Sequence, residues 1–201
     1  MHSLTFGVSL LCLFQANKNI RYMKTLDEII HERRSIRRYE ADKKVPREIV
    51  KQLIAAAIEA PSWKNQQTSR YYVVMSSEMR EKLKACLWSQ NQITVKDAPV
   101  LIVTTFIKGI VGFEKDGTPS NELGDGWGIY DLGLHNMLLL LKATELGLGS
   151  IVLGLRDAEA IRALLNIPDE EVVVSVIGIG HCSQESMRPR RKEVADIAKF
   201  Y

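Results

Sequence analysis

Residues 33–37 read Arg33-Arg34-Ser35-Ile36-Arg37 and stand where a predicted helix ends. Just upstream, Thr25-Leu26-Asp27-Glu28 has the form of a capping box, with Thr25 as N-cap and Glu28 reaching back. The helix is therefore expected to run from about Leu26 into the arginines. Far downstream, Arg188-Pro189-Arg190-Arg191-Lys192 follows a predicted strand. Guanidinium forks match phosphate oxygens, so two dense cationic segments at opposite ends of a nearly charge-balanced chain point to one folded pocket for one anion. A solvated helix end, where cations suit the C-terminal dipole, explains the first segment equally well when it is taken alone. A solvated basic tail is the competing explanation of the second.

The chain has 201 residues and is 46% hydrophobic, enough for a sizeable core in a single domain. Lys and Arg number 27 against 24 Asp and Glu, an excess of +3 that is too small for a general nucleic-acid or membrane-surface binder. Cys12, Cys86 and Cys182 are odd in number and widely spaced, without a C-x-x-C pair, so neither a disulfide framework nor a zinc site is expected. A reducing cytoplasm fits that usage. The apolar run Leu4–Phe14 lacks a preceding Lys or Arg and a small-x-small cleavage site, and it is too short to span a bilayer. Met23-Lys24-Thr25 resembles a second start, so residues 1–22 are expected to form an extension outside a core domain of residues 23–201.

Pro46 at a first helical position, with Ile49, Leu53, Ala56 and Ala57 at helical spacing, marks a second helix that stops before Pro61. A polar loop is expected from Pro61 to Ser69, then a strand over Tyr71–Met75 and a helix from Ser77, as cap, through Trp88. Asn91-Gln92 falls in a loop before a buried strand over Pro99–Phe106, and Lys108–Asp125 reads as a loop or cover. Trp127–Leu146 predicts the longest helix, so apolar that it must be buried on several sides, in part at a subunit interface, with Gly147 as its stop. A strand over Ser150–Leu153, a helix capped by Asp157 and ending at Leu165, and a strand over Val172–Gly178 complete the core. Val194, Ile197 and Phe200 are expected to anchor the tail. Regular β-α-β alternation is absent, which favours an α+β class over a doubly wound sheet.

From Met23 to Tyr201 the order of these motifs resembles the nitroreductase family of flavin mononucleotide (FMN) enzymes. The family pattern R-R-S-x-R-x-(F/Y) matches Arg33, Arg34, Ser35, Arg37 and Tyr39, and A-P-S-x-x-N-x-Q matches Ala60, Pro61, Ser62, Asn65 and Gln67. Gly147-Leu148-Gly149-Ser150 is similar to a G-x-G-(S/T) turn, and Arg188-Pro189-Arg190 to a late K-P-R signature. The family's Pro-Trp after the amide loop is replaced here by Thr68-Ser69, and the Pro after the late signature by Arg191-Lys192.

The resemblance implies a three-layer α-β-α sandwich with a central, mainly antiparallel sheet, and an obligate homodimer with the FMN site shared between subunits. Arg33, Arg34, Ser35, Arg188 and Arg190 would hold the phosphate end, with Arg190 carrying more weight than Arg188. Arg37 would face the N1/C2 edge, where a fixed cation stabilises the negative charge of reduced flavin. Pro61, Ser62, Trp63 and Asn65 would approach the partner's flavin. Asn91 or Gln92 would bond the pyrimidine, since a side-chain amide donates and accepts at once, and Leu153 and Gly154 would present backbone near N5 and O4. No catalytic side chain and no metal is implied, because the flavin carries the chemistry. His2, His31, His135 and His181 are scattered, with His135 expected in the core.

The activity so implied passes two electrons from NADH or NADPH through FMN to a nitroaromatic, quinone or related small acceptor in the cytoplasm, with no nucleic-acid or membrane partner. A specialised branch of the same fold, reductive dehalogenation or flavin breakdown, is the alternative within enzymes. A non-catalytic flavin-binding protein is the alternative outside them.

Overall fold

A computed structural model describes residues 24–184 and 186–201 of the chain. The expected extension over residues 1–22, with Cys12, lies outside the described residues. In chain order the elements are α1 (Leu26–Glu32), α2 (Arg47–Ala57), a 3-10 turn (Trp63–Asn65), β1 (Ser69–Val74), α3 (Ser77–Ala85), α4 (Ser89–Thr94) and β2 (Val100–Ile107). They continue with α5 (Gly126–Glu145), β3 (Gly149–Leu153), α6 (Ala158–Leu165), β4 (Glu171–Gly180) and α7 (Val194–Ile197). Among the described residues no helix is long and apolar enough to cross a membrane.

The four strands form one antiparallel sheet in the order β1-β2-β4-β3. Central strand β2 is buried along nearly its whole length, which explains its unbroken apolar run: with side chains alternating, both faces must be dry. Val100 and Ile102 point to one layer with Ile177 and Ile179, packed under Val50, Leu53 and Ala57 of α2 and Leu139, Leu140 and Ala143 of α5. Leu101, Val103 and Val176 point to the other, with Leu83 of α3, Ile161 of α6 and Val95. These two cores on opposite faces make the α+β three-layer sandwich. Tyr72 of β1 ties the sheet laterally by donating to Glu171 of β4 at 3.0 Å, while the Thr105 hydroxyl between them donates to the other carboxylate oxygen.

Helix ends follow local chemistry. Thr25 and Glu28 form the expected capping box, and Asp157 accepts from the Ala160 N–H at 2.9 Å. Helix α5 ends in a Schellman turn: Gly147 sits at φ +75, its N–H donates to Thr144 O, and Leu148 N–H reaches Ala143 O. Three boundaries differ from expectation. Pro46 is the N-cap of α2 rather than its first residue. Ser76, not Ser77, caps α3, because its hydroxyl accepts from Met79 N–H. The helix expected through Trp88 ends at Ala85, since Leu87 leaves to bridge Arg156 and Trp88 then starts the separate helix α4.

That last break moves Asn91 and Gln92 out of the expected loop and into α4. A second correction concerns the tail. Val194, Ile197 and Phe200 are 64%, 74% and 85% exposed, so they do not anchor it on this chain's own core. Helix α5 is buried on one side through Leu132, His135 and Leu139, but Ile129, Tyr130 and Met137 are exposed on the other.

Close approach makes Gly128 indispensable to the packing of α5 on β2: a Cβ there would lie 2.3 Å from the Phe106 ring. Gly128→Ala is expected to cost about 1–3 kcal/mol, as overpacking does, read as a lowered denaturation midpoint with an unchanged slope. An unaltered midpoint would contradict this packing.

Candidate functional site

The segment after α1 is stitched to the sheet at several points. Ser35 bridges Ser150, with Ile36 N–H donating to Ser150 O at 2.9 Å. Tyr39 bridges Cys182, Glu40 N–H donates to His181 O at 3.0 Å, and Ser183 N–H donates to Arg38 O at 3.2 Å. The buried Tyr39 hydroxyl lies within 3.1 Å of Ile36 O and 3.2 Å of Gly178 O. Its ring occupies space that a Cβ on Gly180 would need. Tyr39 of the sequence motif is thus a structural plug, and burial raises its phenol well above the usual tyrosine range.

Because the exit of β4 runs beside this segment, the late cationic run arrives next to the early one. Arg33, Arg34, Ser35, Arg37, Met187, Arg188, Pro189 and Arg191 line one groove of about 340 Å³. The last turn of α1 holds two of its guanidiniums. Arg34 donates to His31 O and, at 2.8 Å, to Arg33 O. Arg188 Nη1 lies 2.7 Å from His31 Nδ1. Partial burial, followed by the charges of Arg188, Arg191 and Arg33, pushes the Arg34 guanidinium below its usual value. Among the described residues, five arginines and no carboxylate line the groove. This donor set repels cations and fits a dianionic phosphate ester.

Not every expected residue joins it. Arg190 is exposed and outside the lining, whereas Arg191, which the motif did not single out, is part of it. Arg37 continues the surface into a second groove with Arg38, Ile93 and Thr94. Elsewhere on α4, which meets the exit of β3, Asn91 Nδ2 donates to Leu155 O at 2.9 Å and Gln92 Nε2 donates to Leu87 O at 2.7 Å. Asn91 is thus tied to Leu155, just after Leu153 and Gly154 in the chain. The Leu153 side chain is buried, and open space lies over Gly154. Gly149 is explained by Ile36, whose Cγ1 would sit 2.6 Å from a Cβ there.

Pro61, Ser62, Trp63 and Asn65 stand apart, at the N-terminal end of α5. Trp63 N–H donates to Asp131 Oδ2 at 2.8 Å, and the Trp63 and Trp127 rings lie 4.7 Å apart. The other end of α5 lies by the arginines, where Thr144 shares a hollow with Arg34. From Asp131 to Thr144 the helix rises about 20 Å at 1.5 Å per residue, so the loop and groove of one chain lie far apart. Asp131 and His31 were missed by sequence reasoning. The available signals were a lone acid in an apolar helix and a histidine one turn before the arginine motif.

The family model for the nitroreductase family matches residues 30–181. The chain belongs to the nitroreductase family. A relative from Methanothermobacter thermautotrophicus, whose name pairs NADH dehydrogenase with NAD(P)H nitroreductase, is 33% identical over 77% of this chain and 75% of its own length. Among solved structures, the nitroreductase family protein of Streptococcus pneumoniae superposes with a TM-score of 0.77 at 22% identity, over 88% of this chain and 100% of that one. A protein from Exiguobacterium sibiricum, described as a nitroreductase in complex with FMN, gives a TM-score of 0.78 at 24% identity over 89% of this chain and 98% of that one. These likenesses extend the nitroreductase fold over nearly all the described residues.

The groove predicts a hierarchy among the late arginines. Arg188→Ala should weaken binding of inorganic phosphate about tenfold, the loss expected for one charge-assisted hydrogen bond, whereas Arg190→Ala should change it little. Phosphate-induced thermal stabilisation measures both, and equal effects would contradict the assignment.

Proposed function

We propose that this nitroreductase-family chain is an FMN-dependent oxidoreductase that passes two electrons from NADH or NADPH to a nitroaromatic, quinone or related small acceptor, as a homodimer in the cytoplasm. The observation that carries the reading is the convergence of Arg33, Arg34, Arg37, Arg188 and Arg191 on one groove, with no carboxylate among its described lining residues. The FMN described for the Exiguobacterium relative and the NAD(P)H in the name of the Methanothermobacter one support the choice of cofactor and donor.

The chain's own residues account for binding and orientation. Arg33, Arg34 and Arg188 would take the phosphate, and Ser35 adds a neutral donor beside it. Arg37, at the rim between the groove and α4, would set a fixed positive charge near the ring edge that gains electron density on reduction. Asn91 beside Leu155 offers its amide oxygen and its second N–H, the first donating to Leu155 O. The uncrowded backbone at Gly154 lets a flat ring approach. FMN, when bound, supplies reversible two-electron transfer, which none of these side chains can perform. The protein's part is to hold donor and acceptor in turn against one face.

The length of α5 supports sharing of the site between two chains. A two-fold pairing that set α5 of two chains antiparallel would bring the amide loop of one beside the arginine groove of the other. The exposed stripe of Ile129, Tyr130 and Met137, with open space over Gly133, supplies an apolar face for that pairing. The exposed Leu26 and Ile30 of neighbouring α1 widen it.

Absorption spectra of the purified protein before and after adding each nicotinamide test the function. A flavin spectrum that bleaches with NADH or NADPH and returns with a quinone is expected. Bound flavin that no nicotinamide reduces would overturn the oxidoreductase reading. Dilution to monomers should release FMN, and a monomer that keeps full occupancy would overturn the shared site.

A further inference from the structure

Asp131 lies in the first half of α5 and is 3% exposed, an acid buried on a largely apolar helix. A buried carboxylate demands a donor, and Asp131 takes one from outside its helix, the backbone N–H of Trp63 at 2.8 Å. The loop it grips is wound against its residues' preference. Lys64, Asn65 and Gln67 sit at φ 48, 56 and 51, the left-handed region that residues other than glycine avoid. Backbone of this kind persists only where its surroundings over-determine it.

Part of that determination comes from the loop itself and from β1, which follows it. Ser62 Oγ accepts from Gln67 N–H at 3.1 Å, Gln67 Nε2 donates to Asn65 Oδ1 at 3.1 Å, and Arg70 donates to Gln67 O at 2.8 Å. These contacts fix the loop's shape and tie its far end to the sheet, while Asp131 ties its near end to α5. On the far side of Trp63 stands Trp127, its ring 4.7 Å away and its Nε1 donating to Asn121 Oδ1 at 2.9 Å. A Cβ on Gly112 would come within 2.8 Å of Trp127 Cδ1, so the 109–125 segment leans on the same indole. Lys64 faces Glu114 of that segment at 3.9 Å.

We propose that Asp131 is a positioning residue that fixes the Pro61–Gln67 loop on α5 and, through the Trp63–Trp127 pair, couples it to the 109–125 segment. The surface one chain offers to its partner's flavin and the cover beside it then move as one piece. This rests on the shared-site reading above.

The test is amide hydrogen exchange over residues 61–67 and 109–125 in the FMN-loaded dimer, for the unmodified protein, Asp131→Asn and Asp131→Leu. Asparagine keeps an acceptor oxygen for the Trp63 N–H and leucine does not. Exchange in both segments should accelerate about tenfold or more in the leucine variant and stay near the unmodified rate with asparagine. Unchanged exchange in the leucine variant would overturn the tether. Acceleration confined to 61–67 would overturn the coupling. Should the leucine variant fail to fold, the Trp63 amide of the unmodified protein decides, with protection expected and free-chain exchange overturning the proposal. FMN dissociation measured alongside separates this inference from the shared site. A loosened loop with faster FMN loss supports both, and a loosened loop with unchanged FMN loss keeps the tether and overturns sharing.

Discussion

The short stretch of backbone pairing that clamps residues 35–40 between Ser150 and residues 181–183 governs the rest of the molecule. It brings the end of α1 to the exit of β4, and with it two arginine-rich segments separated by about 150 residues of chain. Like charges would not assemble on their own account, and the lowered affinity of Arg34 for its proton reflects burial first and the neighbouring arginines second. Backbone hydrogen bonds and the buried Tyr39 plug hold the cations together regardless, so the repulsion is available to be relieved by an anion. A site that costs the apoprotein stability and is stabilised by its ligand is a common way for a fold to store binding energy.

Helix α5 plays a complementary part. Its Schellman turn delivers the chain into β3 beside the arginines, while Asp131, near the other end, holds the Trp63 loop. The helix therefore separates two pieces that the family resemblance assigns to one flavin site. One buried face supplies the core through Leu132 and Leu139, and the outer face of Ile129, Tyr130 and Met137 is exposed. The tail of Val194, Ile197 and Phe200 adds a second set of exposed apolar side chains.

Much of this was legible in the residues because the decisive signals were local. Capping at Thr25 and Asp157, the dry run of β2 and the stop at Gly147 each depend on a few neighbours, and each stands within a residue or two of where the sequence places it. What escaped was tertiary. Helix α4 is only six residues long and begins at Ser89, with Trp88 as N-cap, because Leu87 leaves to pair with Arg156, a contact no local pattern encodes. The choice of Arg191 over Arg190 turns on which side chains a non-helical strand of basic residues points inward, and equal charge at adjacent positions hides it. The Asp131 tether spans 68 residues and was visible only as an acid out of place in an apolar helix.

The central claim is that these arginines exist to hold a phosphate ester. Titrating flavin-free protein with FMN and with riboflavin, which differ only by that group, tests it directly. Two or more charge-assisted hydrogen bonds predict that FMN binds about a hundredfold or more tightly than riboflavin, with the gap narrowing as salt is raised. Equal affinities, unmoved by salt, would contradict the account.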